Sequence, residues 1–157
     1  MFNRKANTVR LNRASDFALR ILILLSKSDE ALSVEVIAEE LALPKSHVMK
    51  IVARLASAGI IVTQRGRIGG VKLEPSARDV PIGTVVREIE NDFAVVDCFA
   101  EGNALCVFEP RCALKPAMRE ATEAFLQVLD RYLLSDIVKS TQRPKPGVAG
   151  ARKPTAS

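Results

Sequence analysis

From Arg13 to Lys27 the apolar side chains Phe17, Ala18, Ile21, Leu22 and Leu25 return every three or four residues, the period of one helix face. Ser15 and Asp16 fall in or near the first turn, where short polar side chains suit the free amides. Ser28-Asp29-Glu30 reads as a turn, and Ser33 can cap a second helix that leads through Val34 and Val36 into Ile37, Ala38 and Leu41. Leu43-Pro44 breaks the pattern, and proline suits the first turn of a new helix. That helix is expected from about Pro44 to Ser57. Val48, Ile51, Val52 and Leu55 face inward and Lys45, His47, Lys50 and Arg54 face outward. Ala58-Gly59 ends it in the usual way. Ile60 to Thr63 is then rich in β-formers, Arg65-Gly66-Arg67-Ile68-Gly69-Gly70 turns, and Val71-Lys72-Leu73 resumes a strand. Pro81 opens another short helix, Ile82 to Ile89.

Lys115-Pro116 starts a long helix expected to reach about Val138. Leu114, Met118, Ala121, Phe125, Val128 and Tyr132 alternate by four and three, a heptad stripe. Leu126, Leu129, Leu133 and Ile137 form a second. Two apolar stripes on one helix imply two partners, its own domain and another subunit. The competing reading is one wide stripe in a monomer. The pattern divides the chain into a polar N-terminal arm (1–12), a winged helix-turn-helix unit (13–90), a cysteine segment (91–112), a long dimerisation helix (113–140) and a basic tail (141–157) whose Arg143-Pro144-Lys145-Pro146-Gly147 start cannot pack. The fold class expected is mainly α with a small β-hairpin. Two short helices joined by a tight turn are also a common αα-corner, so the helix pair alone does not decide function.

Charge sharpens the choice. The chain of 157 residues carries +5, and Lys139, Arg143, Lys145, Arg152 and Lys153 account for all of it, so the remainder sums to zero. Within that neutral body, Leu41 to Leu73 holds Lys45, Lys50, Arg54, Arg65, Arg67 and Lys72 without one acid. Ordinary surfaces mix both signs, whereas a concentrated basic block is the footprint of phosphate contact. Glycine lets a hairpin tip approach a groove wall, and arginine suits a narrow minor groove. Candidate contacts to double-stranded DNA are therefore Lys45, Ser46, His47, Lys50 and Arg54 in the helix and Arg65, Arg67 and Gly69 in the wing. Gly66-x2-Gly69-Gly70 lacks the GxGxxG spacing of a dinucleotide loop and precedes a strand. His47 is the one histidine. No nucleophile has a visible base, so an enzyme is not expected. No export signal is visible, and Ile21 to Leu25 is too short to span a bilayer, which points to the cytoplasm.

The three cysteines form Cys98-x7-Cys106-x5-Cys112, among the chain-bending residues Gly102, Asn103 and Pro110. An odd count cannot pair fully as disulfides. Structural zinc takes four protein ligands, often in closely spaced pairs, and neither feature is present. Three thiolates plus a ligand from elsewhere suit an iron–sulfur cluster, although the spacing is not a standard ferredoxin pattern. Three unrelated thiols remain the plain alternative.

Arg10-Leu-Asn-Arg-Ala-Ser-Asp16-Phe-Ala-Leu-Arg20, His47-Val-Met49-Lys50-Ile-Val, the wing Arg65-Gly66-Arg67-x-Gly69-Gly70, the three cysteines and Leu129-Asp130-Arg131-Tyr132 together resemble the Rrf-two family of winged-helix transcription regulators. The likeness runs from about Val9 to Val138 and is nearest to the nitric-oxide-sensing repressors of the NsrR type. It implies a homodimer on a palindromic operator and an iron–sulfur cluster, 4Fe-4S in preference to 2Fe-2S. That cluster would be held by Cys98, Cys106 and Cys112, with an aspartate from the partner's first helix whose position is matched by Asp16. Read locally, Asp16 could instead cap its helix or pair with Arg20. Where the family often has Ser-Arg-Asn before the histidine, this chain has Pro44-Lys45-Ser46, and lysine lacks the bidentate reach of arginine. The implied mechanism is a switch in which nitric oxide dismantles the cluster and operator affinity falls. Rival readings are a same-family sensor of iron or cluster status, a thiol-redox regulator, and a small electron-transfer protein. The last would leave the basic half unexplained.

Overall fold

Asn12 sets the start of the first helix, α1 (Arg13–Ser26): its side chain accepts from the Ser15 amide at 2.9 Å. Ser33 does the same for α2 (Val34–Glu40), accepting from the Val36 amide at 3.2 Å. Pro44 caps α3 (Lys45–Ser57) through its backbone alone. That helix ends in a Schellman arrangement. Gly59 sits at φ +70°, its amide donates to the Ala56 carbonyl, and the Ile60 amide reaches the Leu55 carbonyl, both at 3.0 Å. The structure, a computed structural model, describes residues 11–64, 66, 69–90, 93, 96, 99, 108 and 111–140.

Strands β1 (Ile61–Gln64) and β2 (Gly70–Leu73) pair antiparallel, Ile61 opposite Leu73 and Gln64 opposite Gly70. Leu32 lies beside β2 and exchanges both backbone bonds with Val71, at 2.9 and 2.8 Å. A 3-10 turn (Pro75–Asp79) leads to α4 (Ile82–Ile89). Ile21, Leu22 and Leu25 of α1, Val48 and Leu55 of α3, and Val85, Val86 and Ile89 of α4 are fully enclosed. The core therefore lies where these three helices meet over the inner face of the hairpin. The mainly helical winged fold expected from the pattern is what the chain adopts.

The expected long helix is two. α5 (Leu114–Asp130) stops, and α6 (Leu134–Ser140) begins after three intervening residues. The break has a tertiary cause. The Ile82 amide donates to the Tyr132 carbonyl at 2.9 Å and the Leu134 amide to the Val80 carbonyl at 3.0 Å, so backbone needed to continue the helix pairs with the segment entering α4. The Asp136 carboxylate then accepts from the Leu133 amide at 3.1 Å, which fixes the new start. The break shifts the inner stripe by one residue, because Leu133 is drawn into a bridge with Pro81 and Leu134 takes the expected place of Leu133 in the core. Leu126 and Leu134 are buried and Leu129 and Ile137 pack on the core, whereas Leu114, Phe125, Val128 and Tyr132 are exposed.

The turn from α2 to α3 places Ala42 at φ +51°, the one non-glycine residue with positive φ among the described residues. The left-handed region costs an alanine about 1 kcal/mol or more. Glycine removes that cost but loses more entropy on folding. Ala42→Gly should raise the unfolding free energy by about 0.5 kcal/mol, seen as a rise of about 1–2 °C in a thermal melt.

Candidate nucleic-acid interface and cysteine segment

The buried side of α3 fixes what its other side presents. With Val48, Ile51, Val52 and Leu55 packed inward, Lys45, Ser46, His47, Met49 and Lys50 stand exposed on one continuous face over its first two turns. His47 lies against Phe17 of α1, ring centroids 6.2 Å apart. Lys45 pairs with Glu35 on α2. Hydrogen bonding from Lys45, followed by the bond to its own backbone amide and the lysine charge, holds the Glu35 carboxyl below its ordinary value. Arg54 is turned differently: its Nη2 donates to the Glu88 carbonyl at 2.8 Å, tying α3 to the last turn of α4.

The wing tip needs glycine at two described positions. Gly66 has φ +126°, and the Gly69 amide donates to the Gly66 carbonyl at 2.9 Å. A Cβ on Gly69 would lie 2.6 Å from the Gln64 carbonyl oxygen and 2.8 Å from that of Gly66, backbone atoms that cannot move aside cheaply. Gly69 therefore makes the turn. Arg65 and Arg67 lie outside the described residues.

Asp16 stands in the first turn of α1 and does not cap it. Its carboxylate is held by Arg20, Oδ2 to Nη2 at 2.7 Å and Oδ1 to Nε at 3.1 Å, with half of the side chain exposed. Of the cysteines, Cys98 and Cys106 lie outside the described residues. Cys112 is a free thiol, partly buried, two residues before α5. Ala113 caps α5 without a side-chain bond, so the positive end of that helix stands next to the thiol in the chain. Phe93, ahead of the cysteines, and Phe99, the residue after Cys98, line an open cleft of about 480 Å³ together with Lys115, Arg119, Thr122 and Glu123.

Sequence reasoning missed the joint between the winged unit and α5. Arg87 of α4 grips Asp130 at the end of α5 with two parallel bonds, each 2.7 Å. Each partner's hydrogen bonding shifts the other: the Asp130 carboxyl is held below its ordinary value and the Arg87 guanidinium above it. Gly83 explains the fit, since a Cβ there would lie 2.0 Å from Asp130 Oδ1. No local pattern signals a pair forty-three residues apart. Because the folded Asp130 titrates below its ordinary range, its stabilisation is present above that range and is lost as acid protonates the folded carboxylate. Gly83→Ala should displace the carboxylate and flatten this acid limb. At neutral pH the helix gains up to about 1 kcal/mol from alanine, which offsets the broken pair. Urea unfolding of both proteins between pH 3 and 7 checks this.

The sequence pattern of the Rrf2 family, described as an iron-dependent transcriptional regulator, matches residues 11–140. The chain belongs to the Rrf2 family. Among its relatives, the HTH-type transcriptional regulator NsrR of Bacillus subtilis is 41% identical over 136 residues, covering 85% of this chain and 93% of that one. The HTH-type transcriptional repressor NsrR of Streptomyces coelicolor is 37% identical over 139 residues, covering 87% and 93%. Two solved structures share this fold. CymR (YrzC), the global cysteine regulator of B. subtilis, does so with a TM-score of 0.68 at 23% identity, over 86% of this chain and all of that one. IscR of T. potens gives 0.65 at 22%, over 83% and 87%. This Rrf2 protein is thus a transcriptional regulator with NsrR homologues and not an enzyme. Among the described residues no helix is long and apolar enough to cross a membrane.

Proposed function

We propose that this regulator is a homodimeric repressor whose hold on a palindromic operator depends on an iron–sulfur cluster that responds to nitric oxide. The observation that carries the DNA reading is the exposed face of α3, where Lys45, Ser46, His47 and Lys50 stand free of the core on the second helix of a helix-turn-helix. In that arrangement the second helix enters the major groove and the wing follows the backbone into the neighbouring minor groove. Lys50 and Arg67 contact phosphate, Ser46 and His47 reach base edges, and Gly69 shapes the wing that carries Arg65 and Arg67. Arg54 acts from behind, steadying α3 through its bond to α4. Two copies related by a two-fold axis read two half-sites, which makes the operator palindromic.

The donor set suits a cluster. Cys98, Cys106 and Cys112 supply three thiolates, and the uncapped start of α5 beside Cys112 favours the negative charge such a group carries. Asp16 supports the fourth ligand from the partner, because Asn12 already caps α1 and leaves the Asp16 carboxylate on the surface. When bound, the cluster supplies irons open to attack by nitric oxide, the signal that the likeness to NsrR-type repressors implies. The chain's own part is mechanical. Asp16 lies in the first turn of α1, a helix packed into the same core as α3, so a tether at Asp16 bears on the DNA-reading face as one body. Released, the carboxylate is held by Arg20 one turn on. A switch requires two such positions.

Operator binding of the Lys50→Ala and Arg67→Ala proteins across a salt series tests the DNA reading. Each should bind more weakly on every sequence, and the slope of log affinity against log salt should fall by about one for each phosphate no longer neutralised. Unchanged affinity and slope in both would contradict it.

A further inference from the structure

We infer that Met49 is a specificity residue that reads the C5-methyl group of a thymine in each operator half-site. The inference rests on the proposal that α3 lies in the major groove. Met49 is 55% exposed, the most exposed large apolar side chain among the described residues between Arg13 and Glu90, yet it shares its face with Lys45, Ser46, His47 and Lys50. Its own fold has no use for it there, since the apolar face of α3 is already complete with Val48, Ile51, Val52 and Leu55. It lies one turn into the helix, the stretch from which a recognition helix reaches base edges.

The chemistry selects the target. A thioether chain neither donates nor accepts strongly, so it reads nothing from guanine, cytosine or adenine edges in the major groove. Thymine alone offers an apolar group there, its methyl. Methionine is unbranched and adaptable enough to cover a methyl without dictating the neighbouring polar contacts. The arrangement on α3 then divides the work: Lys45 and Lys50 supply charge, Ser46 and His47 hydrogen bonds, and Met49 the apolar contact.

The test removes one methyl at a time. Duplexes are first selected by the wild-type, full-length protein, purified anaerobically, from a randomised pool. Each thymine of the selected site is then replaced by deoxyuridine, which deletes the methyl and keeps every hydrogen-bonding group. One thymine per half-site should lose about fourfold in affinity per contact, the worth of one buried methyl-sized group at about 0.8 kcal/mol. In Met49→Ala, binding should be weaker overall and that same replacement should have no effect, while Met49→Leu should keep most of the discrimination. If every thymine loses as much with Met49→Ala as with the wild type, or if Met49→Ala binds like the wild type, the inference is overturned. Lys50→Ala on the same duplexes separates the two readings. A loss there without methyl coupling at Met49 rejects only the present inference. No loss in either variant, or a pool that enriches no sequence, rejects the placement of α3 in the groove as well.

Discussion

Aspartate in place of Phe125 or Val128 should leave the protein monomeric while its helix content stays unchanged. Both side chains lie on the outer stripe of α5, 39% and 46% exposed, with Leu114 and Tyr132 on the same side at 59% and 49%. Leu126, on the opposite stripe, is 9% exposed and belongs to the chain's own core. Full burial of a phenylalanine or valine is worth about 1.5–3 kcal/mol, of which covering the part still exposed here is roughly two fifths, about 0.6–1.4 kcal/mol, and a two-fold interface counts each substitution twice. Removal of that apolar burial alone should therefore weaken the dimer by about 1–3 kcal/mol, roughly tenfold to a hundredfold, before the charge is considered. Burying an unpaired carboxylate adds to that. Sedimentation at micromolar concentration should show dimers for the wild type and monomers for either variant. Circular dichroism should not distinguish them, because both side chains lie outside the core cluster of their own chain. A monomeric wild type would remove the dimer, and the palindromic operator with it.

The second large effect concerns the ligands. Replacing Cys98, Cys106 or Cys112 by alanine should abolish the cluster, and with it tight operator binding. Asp16→Ala should act more selectively. It removes a surface pair between neighbouring turns of α1, worth about 0.3–0.5 kcal/mol, and spares the Asn12 cap, so folding should be intact. The cluster should nevertheless become labile or change its spectrum, and the change should be absent from Arg20→Ala, which removes the same pair and keeps the carboxylate. That comparison separates ligation from helix stability. Should Asp16→Ala keep a wild-type spectrum while Glu101→Ala or Glu109→Ala loses it, the ligand is local and the tether between subunits is wrong.

Much of the fold is legible in the sequence because local rules and tertiary packing agree in the winged unit. The serine at position 33 caps where its side chain permits, Gly59 ends α3 where a positive φ is required, and the inward positions of α1 and α3 follow the helical period. The stripes of α5 are equally readable, since an apolar side chain on the outer face has no local reason to be there. What fails is whatever depends on a distant partner. Leu133 ends up in a bridge to Pro81 instead of inside a helix, although nothing in the residues around it forbids helix. Arg54 is basic like its neighbours on α3, and only the position of the Glu88 carbonyl shows that it supports the helix from behind. The pairing of Arg87 with Asp130, and the need for glycine at position 83, come from two helices meeting end to side. At the candidate site the exposed face of α3 is readable as charge, whereas Met49 carries no charge and stands out only once its exposure is known. Cys98 and Cys106, like Arg65 and Arg67, lie outside the described residues, so their roles rest on the sequence and on the resemblance.

On the proposal above, a cluster held by the three cysteines controls DNA binding in response to nitric oxide. The most direct test is one anaerobic titration of freshly purified full-length protein with nitric oxide, following visible absorbance and operator affinity on the same samples. The cluster absorbance should bleach as nitric oxide is added, with operator affinity falling over the same range of added equivalents. A protein reconstituted with iron and sulfide that shows no such absorbance, or one whose operator affinity stays constant while the absorbance is lost, would contradict the proposal.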